Sequence, residues 1–244
     1  MKCELCHNDK ELKNSHIIPE FFYKPLYDEK HRFNVIPLSE DQIFRYEQKG
    51  LREKLLCGDC ENKLSKWEDY VRRIFYGGKE ILITNGDPIK IEGIDYAKFK
   101  LFQLSLLWRA SVSKLKFFEG VSLGPHEEKI RQMLLNEDPG SKFIYPCFFI
   151  MVLMEKNKVL DDFIYPPNTL RIEGHRTYRF IFGGGFWIYF VSSHTHILNS
   201  SKISEFFLNE EGRLLIPLRP ANKIEFFINL AKDVVKYNKK RNGP

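Results

Sequence analysis

Two cysteine pairs, Cys3-Glu4-Leu5-Cys6 and Cys57-Gly58-Asp59-Cys60, frame the first part of this chain and contain four of its five cysteines. A gap of two residues lets both thiolates of a pair face one point, and two such pairs complete the tetrahedral coordination that Zn²⁺ prefers. The spacing therefore predicts a structural zinc site. Its ligands are expected to be Cys3, Cys6, Cys57 and Cys60.

The segment Ser15-His16-Ile17-Ile18-Pro19 lies between the two pairs, inside the loop that the metal would close. A neutral imidazole can take a proton from water at pH 7, provided that its other nitrogen is held. Carboxylate oxygens bind hard divalent cations well, and Glu61 directly follows Cys60. The alternative for His16 is a capping or zinc-proximal histidine with no catalytic part.

C-x-x-C, then S-H-I-I-P, then L-L-C-x-x-C-E resembles the HNH (ββα-metal) endonuclease superfamily, which is built on a treble-clef zinc scaffold. The resemblance covers about residues 1–70. It implies that His16 is the general base, that Glu61 is catalytic and binds a catalytic Mg²⁺ or Mn²⁺, and that Ser15 is a further candidate ligand of that cation. It also implies DNA as the usual nucleic-acid substrate. Many members serve phage defence, restriction or mobile elements, where a protein partner from the same system is expected.

Two departures from this pattern keep a second interpretation open. Ser15 stands where members carry an acidic or imidazole ligand, and the middle Asn of the motif has no counterpart before Cys57. The chain could therefore be a non-catalytic zinc module that binds nucleic acid or a protein partner. A third interpretation is a purely structural zinc beneath an unrelated activity in the rest of the chain.

The composition is that of a folded protein without a membrane span. Of 244 residues, 43% are hydrophobic and 29% are charged. The longest apolar run, residues 143–154, is shorter than the roughly 20 residues that a membrane helix requires. No apolar stretch follows Met1, so we expect a cytoplasmic protein with no membrane partner.

The net charge of +6 is unevenly distributed. Residues 1–70 contain 12 Lys and Arg against 14 Asp and Glu, a balance of −2, which leaves 26 against 18, or +8, for residues 71–244. If nucleic acid is the substrate, most of the phosphate neutralisation should come from the second part. A solvated surface is the simpler interpretation of the same charges.

The organisation of the chain predicts two domains, a zinc module over residues 1–76, which the resemblance implies is HNH-like, and an α+β domain over 77–244 that could bind nucleic acid or a partner. Helical spacing marks one helix in the first domain, and a run of period-two segments lies between helices in the second. This order predicts an α+β fold with a mostly antiparallel sheet. Helices are predicted over 61–75, with Leu64, Trp67, Val71 and Ile74 on one apolar stripe, over 96–116, with Asp95 as its cap, and over 125–135 and 222–237. Strands are predicted over 143–154, 169–173, 177–182 and 186–191, and a β-rich stretch is predicted over 81–91 with a turn at 85–88.

Four further side chains attract attention in the second part. Arg109 lies in a strongly apolar helix, so it marks either an internal ion pair or a contact near the active groove. Cys147 is expected to be a core thiol. His194 and His196 would point the same way on a strand, but no third metal ligand is evident, and a strand-end pair is the simpler interpretation.

Overall fold

The computed structural model describes residues 1–35, 45–78, 82–192 and 201–241, with side chains for all of these except 34, 35, 45 and 234–241. The mixture of helices and sheets confirms the predicted α+β fold. The described helices are α1 (Gly58–Tyr76), α2 (Tyr96–Val112), α3 (Pro125–Asn136) and α4 (Glu225–Arg241). The described strands are β1 (Leu12–His16), β2 (Phe33–Val35), β3 (Arg45–Glu47), β4 (Arg52–Cys57), β5 (Leu82–Thr84), β6 (Ile89–Glu92), β7 (Cys147–Leu153), β8 (Tyr165–Ile172), β9 (His175–Phe182), β10 (Gly185–Phe190), β11 (Leu214–Ile216) and β12 (Leu218–Pro220).

Strands β1 and β4 pair antiparallel, and β4 leads directly into α1. The three elements form a ββα unit. The chain between the two strands carries short 3₁₀ turns and the antiparallel pair β2–β3. The register of β1 against β4 shifts between Lys13 and Asn14. Near this irregularity the buried Ser15 hydroxyl accepts a hydrogen bond from the Leu56 N–H at 3.1 Å. The side chain thereby satisfies a backbone donor of the neighbouring strand.

Helix α1 confirms the helix predicted over 61–75 and begins three residues earlier. Two carboxylates in its first turn interact favourably with the positive end of the helix dipole. The predicted apolar stripe buries Leu64, Trp67 and Val71. The helix ends at Gly77, whose φ of +82° is readily adopted only by glycine.

Helix α2 is buried on every side, since each residue from Phe99 to Ala110 is buried. The predicted cap is confirmed, because the Asp95 side chain accepts a hydrogen bond from a backbone N–H of the first turn. The predicted end at Lys116 is wrong. The backbone at Ser113 is extended, with ψ of 138°, and this ends the helix at Val112.

A five-stranded sheet forms the largest β layer, in the order β12-β7-β10-β9-β8. Every neighbouring pair is antiparallel except β12–β7, so the mostly antiparallel sheet is confirmed. The predicted strand over 143–154 is shorter, because φ at Tyr145 is +46° and Pro146 has no N–H to donate. The strand predicted from Thr169 begins earlier, at Tyr165. Its two prolines are tolerated because β8 lies at a sheet edge.

Aromatic packing connects the N-terminal segment to this sheet. The Phe22 ring lies 4.8 Å from that of Phe182 and 6.2 Å from that of Trp187, and the Phe75 ring lies 5.9 Å from Trp187. Buried residues on both sides of residue 76 belong to the same core cluster. The division into domains 1–76 and 77–244 stays a prediction. None of the described helices has the length and apolar character needed to cross a bilayer.

Candidate metal centre and adjoining cleft

Four cysteine sulfurs converge at one end of the ββα unit. The Sγ atoms of the two predicted pairs all lie within 4.8 Å of one another, and none forms a disulfide. Cys6 Sγ and Cys57 Sγ are 3.8 Å apart, which matches the edge of a tetrahedron with Zn–S bonds of about 2.3 Å. Four soft thiol donors without an open position suit a structural zinc. The predicted cysteine cluster that could hold a zinc ion is confirmed.

Backbone geometry fixes these thiols. In the first pair, the His7 N–H donates to the Cys3 carbonyl at 2.9 Å, and the φ of +61° at His7 turns the chain back. In the second pair, Cys57 ends β4 and Cys60 lies in the first turn of α1. The Cys57 N–H also donates to Cys3 Sγ at 3.3 Å. A helix N-terminus and N–H donors both favour negatively charged sulfur.

His16 lies at the opposite end of the β1–β4 pair. Leu12 is paired with Cys57, whereas His16 is paired with Arg52. Four residues of strand, about 13 Å, therefore separate the imidazole from the cysteine end. A zinc ion at the cysteines would stabilise the unit that carries His16 without contacting the imidazole.

The two ring nitrogens of His16 have different surroundings. Nε2 is buried and lies 2.8 Å from Oε2 of Glu20. The contact is close in distance, but it does not meet the angular requirement of a ring N–H hydrogen bond. Among the described residues Nδ1 makes no hydrogen bond, and unlike Nε2 it is not a buried atom. One nitrogen therefore faces a carboxylate, and the other is unbonded within the described residues and not fully buried.

The electrostatic surroundings keep the imidazole neutral at pH 7. Burial lowers the pKa of His16 below its ordinary value of 6.5, the Glu20 carboxylate opposes this effect, and the Arg52 guanidinium adds to it. A neutral imidazole can accept a proton.

Glu20 is held from its other side by Tyr27. The Tyr27 hydroxyl donates a hydrogen bond to Glu20 Oε1 at 2.6 Å, which leaves Oε2 for the contact with His16. Burial, together with the bond to Glu20, raises the pKa of Tyr27 well above its usual range, so the hydroxyl remains a donor. Glu20 begins a 3₁₀ turn directly after Pro19. A hydroxyl, a carboxylate and an imidazole thus lie in series.

A cleft of about 510 Å³ opens beside His16, between the 3₁₀ segment and the outer face of α1. Its walls combine carboxylates with cations. Arg72 is paired with Asp69 at 3.0 Å. Lys24 and Lys66 are exposed, and neither forms an ion pair within the described part of the chain. The charged side chains of the cleft, besides His16, are Glu20, Glu68, Asp69, Lys24, Lys66 and Arg72.

Glu68 connects this cleft to the rest of the molecule. Its Oε1 lies 2.7 Å from Nη1 of Arg109, a side chain only 2% exposed. Burial raises the pKa of Glu68, while the Arg109 guanidinium opposes this rise and the Glu61 carboxylate adds to it. Of the two alternatives for Arg109 in the sequence, the internal ion pair is confirmed, and a role at an active groove stays a prediction.

No protein-family model, no curated protein and no solved structure matches this chain. The resemblance to the HNH superfamily thus rests on the motif residues alone.

The other predicted site residues lie near the cleft without lining it. Glu61 is half-buried in the first turn of α1, and its Oε1 is buried without a hydrogen-bond partner. The Ser15 hydroxyl is engaged with Leu56 inside the strand pair. Among the described residues, the cysteine cluster is the one group of three or more His, Cys, Asp or Glu side chains that could share an ion. The roles of His16, Glu61 and Ser15 in catalysis or cation binding stay predictions.

Glu20, Asp69 and Tyr27 are site residues that the sequence did not mark. The spacing of Glu20 from His16 was the one signal available, because a carboxylate four residues after a histidine can return to it across a turn. Cys147 is a buried thiol, as predicted, and burial raises its pKa well above the ordinary value. His194 and His196 lie outside the described residues.

Proposed function

We propose that this chain is an HNH-like, metal-dependent endonuclease that hydrolyses phosphodiester bonds. The observation that carries the proposal is the state of His16 at the cleft. Its Nε2 lies against the Glu20 carboxylate, and its Nδ1 makes no hydrogen bond with the described residues and is not fully buried. This arrangement suits a general base, because a carboxylate faces one nitrogen and the other is available to take a proton from water.

The residues around His16 have distinct roles in this proposal. Tyr27 and Glu20 orient the imidazole, and the lowered pKa of His16 keeps it ready to accept a proton at pH 7. Glu20 also stabilises the imidazolium that forms once the proton is transferred, by analogy with other carboxylate–histidine pairs. The proton leaves with bulk water at the open side of the ring.

Glu61 and Glu68 are the residues we expect to hold a Mg²⁺ or Mn²⁺ ion. They lie seven residues apart on α1, two turns along the same face. The unpartnered, buried Oε1 of Glu61 suits a cation, since a buried carboxylate oxygen without a partner is costly. When bound, the cation supplies electrostatic stabilisation of the phosphorane and of the leaving oxygen.

Two exposed lysines favour a polyanionic substrate. Lys24 and Lys66 lie on opposite walls of the cleft and have no acidic partner among the described residues, so both are available to phosphates. The +8 balance of residues 71–244 provides further positive charge. We take nucleic acid, DNA in the first instance, as the substrate, and phage defence or a mobile element as the cellular setting.

The test is cleavage of supercoiled plasmid by the purified chain with Mg²⁺ or Mn²⁺. Wild type should nick the plasmid, and EDTA should prevent this. His16→Ala should be inactive with unchanged zinc content, because the imidazole is far from the cysteines. His7→Asn, in the same module and at a positive φ that Asn tolerates, should cleave like wild type. Equal activity of His16→Ala and wild type would contradict the proposal.

A second candidate is a zinc module that binds nucleic acid or a protein partner without cleaving it. The observation in its favour is that, apart from the cysteines, no three ligand side chains of the described residues converge on a common point. Under this alternative, wild type and His16→Ala would bind and shift the same plasmid in a mobility-shift assay, and neither would cleave it.

A further inference from the structure

Arg109 is a buried cation that the proposed reaction does not yet use. It lies in α2, within the stretch of that helix in which every residue is buried, and its side chain is 2% exposed. A guanidinium is rarely buried without acceptors for its five N–H groups. The groups that accept these bonds therefore indicate its role.

The acceptors belong to the two elements that form the proposed site. Nη1 donates to the backbone carbonyl of His16 at 2.6 Å and lies 2.7 Å from Oε1 of Glu68. A single nitrogen thus connects the end of β1 to the middle of α1. The guanidinium itself is held by its own helix, since Nε donates to the Ser105 carbonyl at 3.3 Å and Nη2 to the Ser105 hydroxyl at 3.4 Å.

The geometry demands arginine at this position. A lysine could place one ammonium near one of the two acceptors, but it has no planar fork that faces Ser105 while it bridges His16 and Glu68. The charge also acts on both partners. It lowers the pKa of His16, and it opposes the rise that burial causes in the pKa of Glu68.

We propose that Arg109 is a positioning residue of the His16 site, which fixes the backbone of His16 and the carboxylate of Glu68 relative to one another. This inference rests on the proposed function. It implies that α2, which follows residue 76, completes the chemistry of the ββα unit. Residues 1–76 alone would lack the group that joins their own strand and helix.

The experiment compares Arg109→Lys and Arg109→Met with wild type in the full chain. Arg179→Met is the matched control, because this half-buried arginine of β9 packs over Phe186 and Phe226, away from His16. Zinc content and circular dichroism establish that each variant is folded. The readouts are kcat and KM for DNA cleavage with Mg²⁺, and the titration of the His16 ring followed by NMR.

We expect both Arg109 variants to lose about hundredfold in kcat with little change in KM, since misplacement of a reacting group by about 1 Å costs that much. The His16 pKa should rise in Arg109→Met and stay near the wild-type value in Arg109→Lys, which keeps the charge. Arg179→Met should match wild type in both readouts. A purely structural role of Arg109 would lower stability without moving the His16 titration in folded protein.

Folded Arg109 variants that cleave within about twofold of wild type would overturn the inference. If Arg109→Met does not fold, Arg109→Lys decides by the same criterion, because it keeps a cation in the buried site. If wild type itself does not cleave, the proposed function fails, and the positioning role of Arg109 is tested by the His16 ring resonances of Arg109→Lys, which keeps the charge. Unchanged resonances in that variant would overturn the positioning role, and shifted ones would support it.

Discussion

Nε2 of His16 lies 2.8 Å from Oε2 of Glu20, four residues further along the chain. The contact spans the turn at Pro19, and Tyr27 holds the other oxygen of the same carboxylate at 2.6 Å. The buried nitrogen of His16 is therefore the one that faces Glu20, a carboxylate in the loop between β1 and β4.

Glu20→Gln should reduce cleavage by about tenfold or more, as is usual when the partner that orients a histidine is lost. It should also lower the pKa of His16, because the Glu20 charge raises it. The acid limb of the pH–rate profile should therefore move to lower pH. Glu29→Gln, an exposed carboxylate of the same loop, is the control. An unchanged profile in Glu20→Gln would show that the contact does not orient the ring.

Arg52→Gln should move the acid limb of the pH–rate profile to higher pH. Arg52, opposite His16 in β4, lowers the pKa of His16, so its removal should raise that pKa and reduce activity on the acid limb. Lys54→Gln, exposed on the same strand, should leave the profile in place. A limb that stays fixed in Arg52→Gln would contradict the assignment of that limb to His16.

The lowered pKa of His16 also makes the free energy of unfolding depend on pH. The folded-state pKa of His16 is below the unfolded value of about 6.5, so the unfolded chain binds a proton more readily. The contribution of neutral His16 is present above pH 6.5 and is lost as the pH falls through the folded-state pKa. His16→Gln should remove this part of the acid destabilisation, which urea unfolding at pH 7 and pH 5 can measure.

Cys57→Ser should release zinc and unfold the ββα unit, because folding of such small units is coupled to metal binding. Wild type should contain about one zinc ion per chain in elemental analysis. Cys147→Ser is the matched control, since this thiol is buried in β7 and is not part of the cysteine cluster. Retention of zinc by Cys57→Ser, or its loss from Cys147→Ser, would contradict the four-cysteine site.

Lys100 offers a test in the interior of α2. Burial lowers its pKa to about 8, and its ammonium donates to the Tyr145 carbonyl at 2.7 Å. Between pH 8 and its unfolded value of 10.5 the unfolded chain binds this proton and the folded chain does not, so folding becomes more favourable as the pH rises. Relative to Lys100→Met, wild type should gain about 3 kcal/mol of unfolding free energy across that range. A difference that is constant with pH would contradict the lowered pKa.

The local patterns of the sequence predicted the local features of the structure. The two-residue gaps of the cysteine pairs were enough to predict their convergence, and the spacing of Leu64, Trp67 and Val71 was enough to predict the buried face of α1. His16 was selected because the resemblance of the S-H-I-I-P segment implies a general base at that position, and the structure places His16 at the end of β1. In each case the relevant partners lie within one element or one motif.

The remaining features depend on packing between distant segments. Arg109 meets His16 across 93 residues of sequence, and no periodicity records that contact. The position of Glu20 depends on the 3₁₀ turn whose Phe22 packs against the five-stranded sheet. Strand β12 has only three residues and pairs in parallel with β7, which no turn signal could reveal. These contacts decide the site, so its charge pattern could be read only from the structure.

The most direct test of the central claim is the rate at which His16→Ala cuts DNA under single-turnover conditions, with Mg²⁺ present and zinc content equal to that of wild type. We expect wild type to produce nicked circles that EDTA suppresses, and the variant to lose at least about hundredfold in rate, the usual contribution of a general base. A variant that is folded, contains zinc and cuts as fast as wild type would contradict the assignment of His16 as the base.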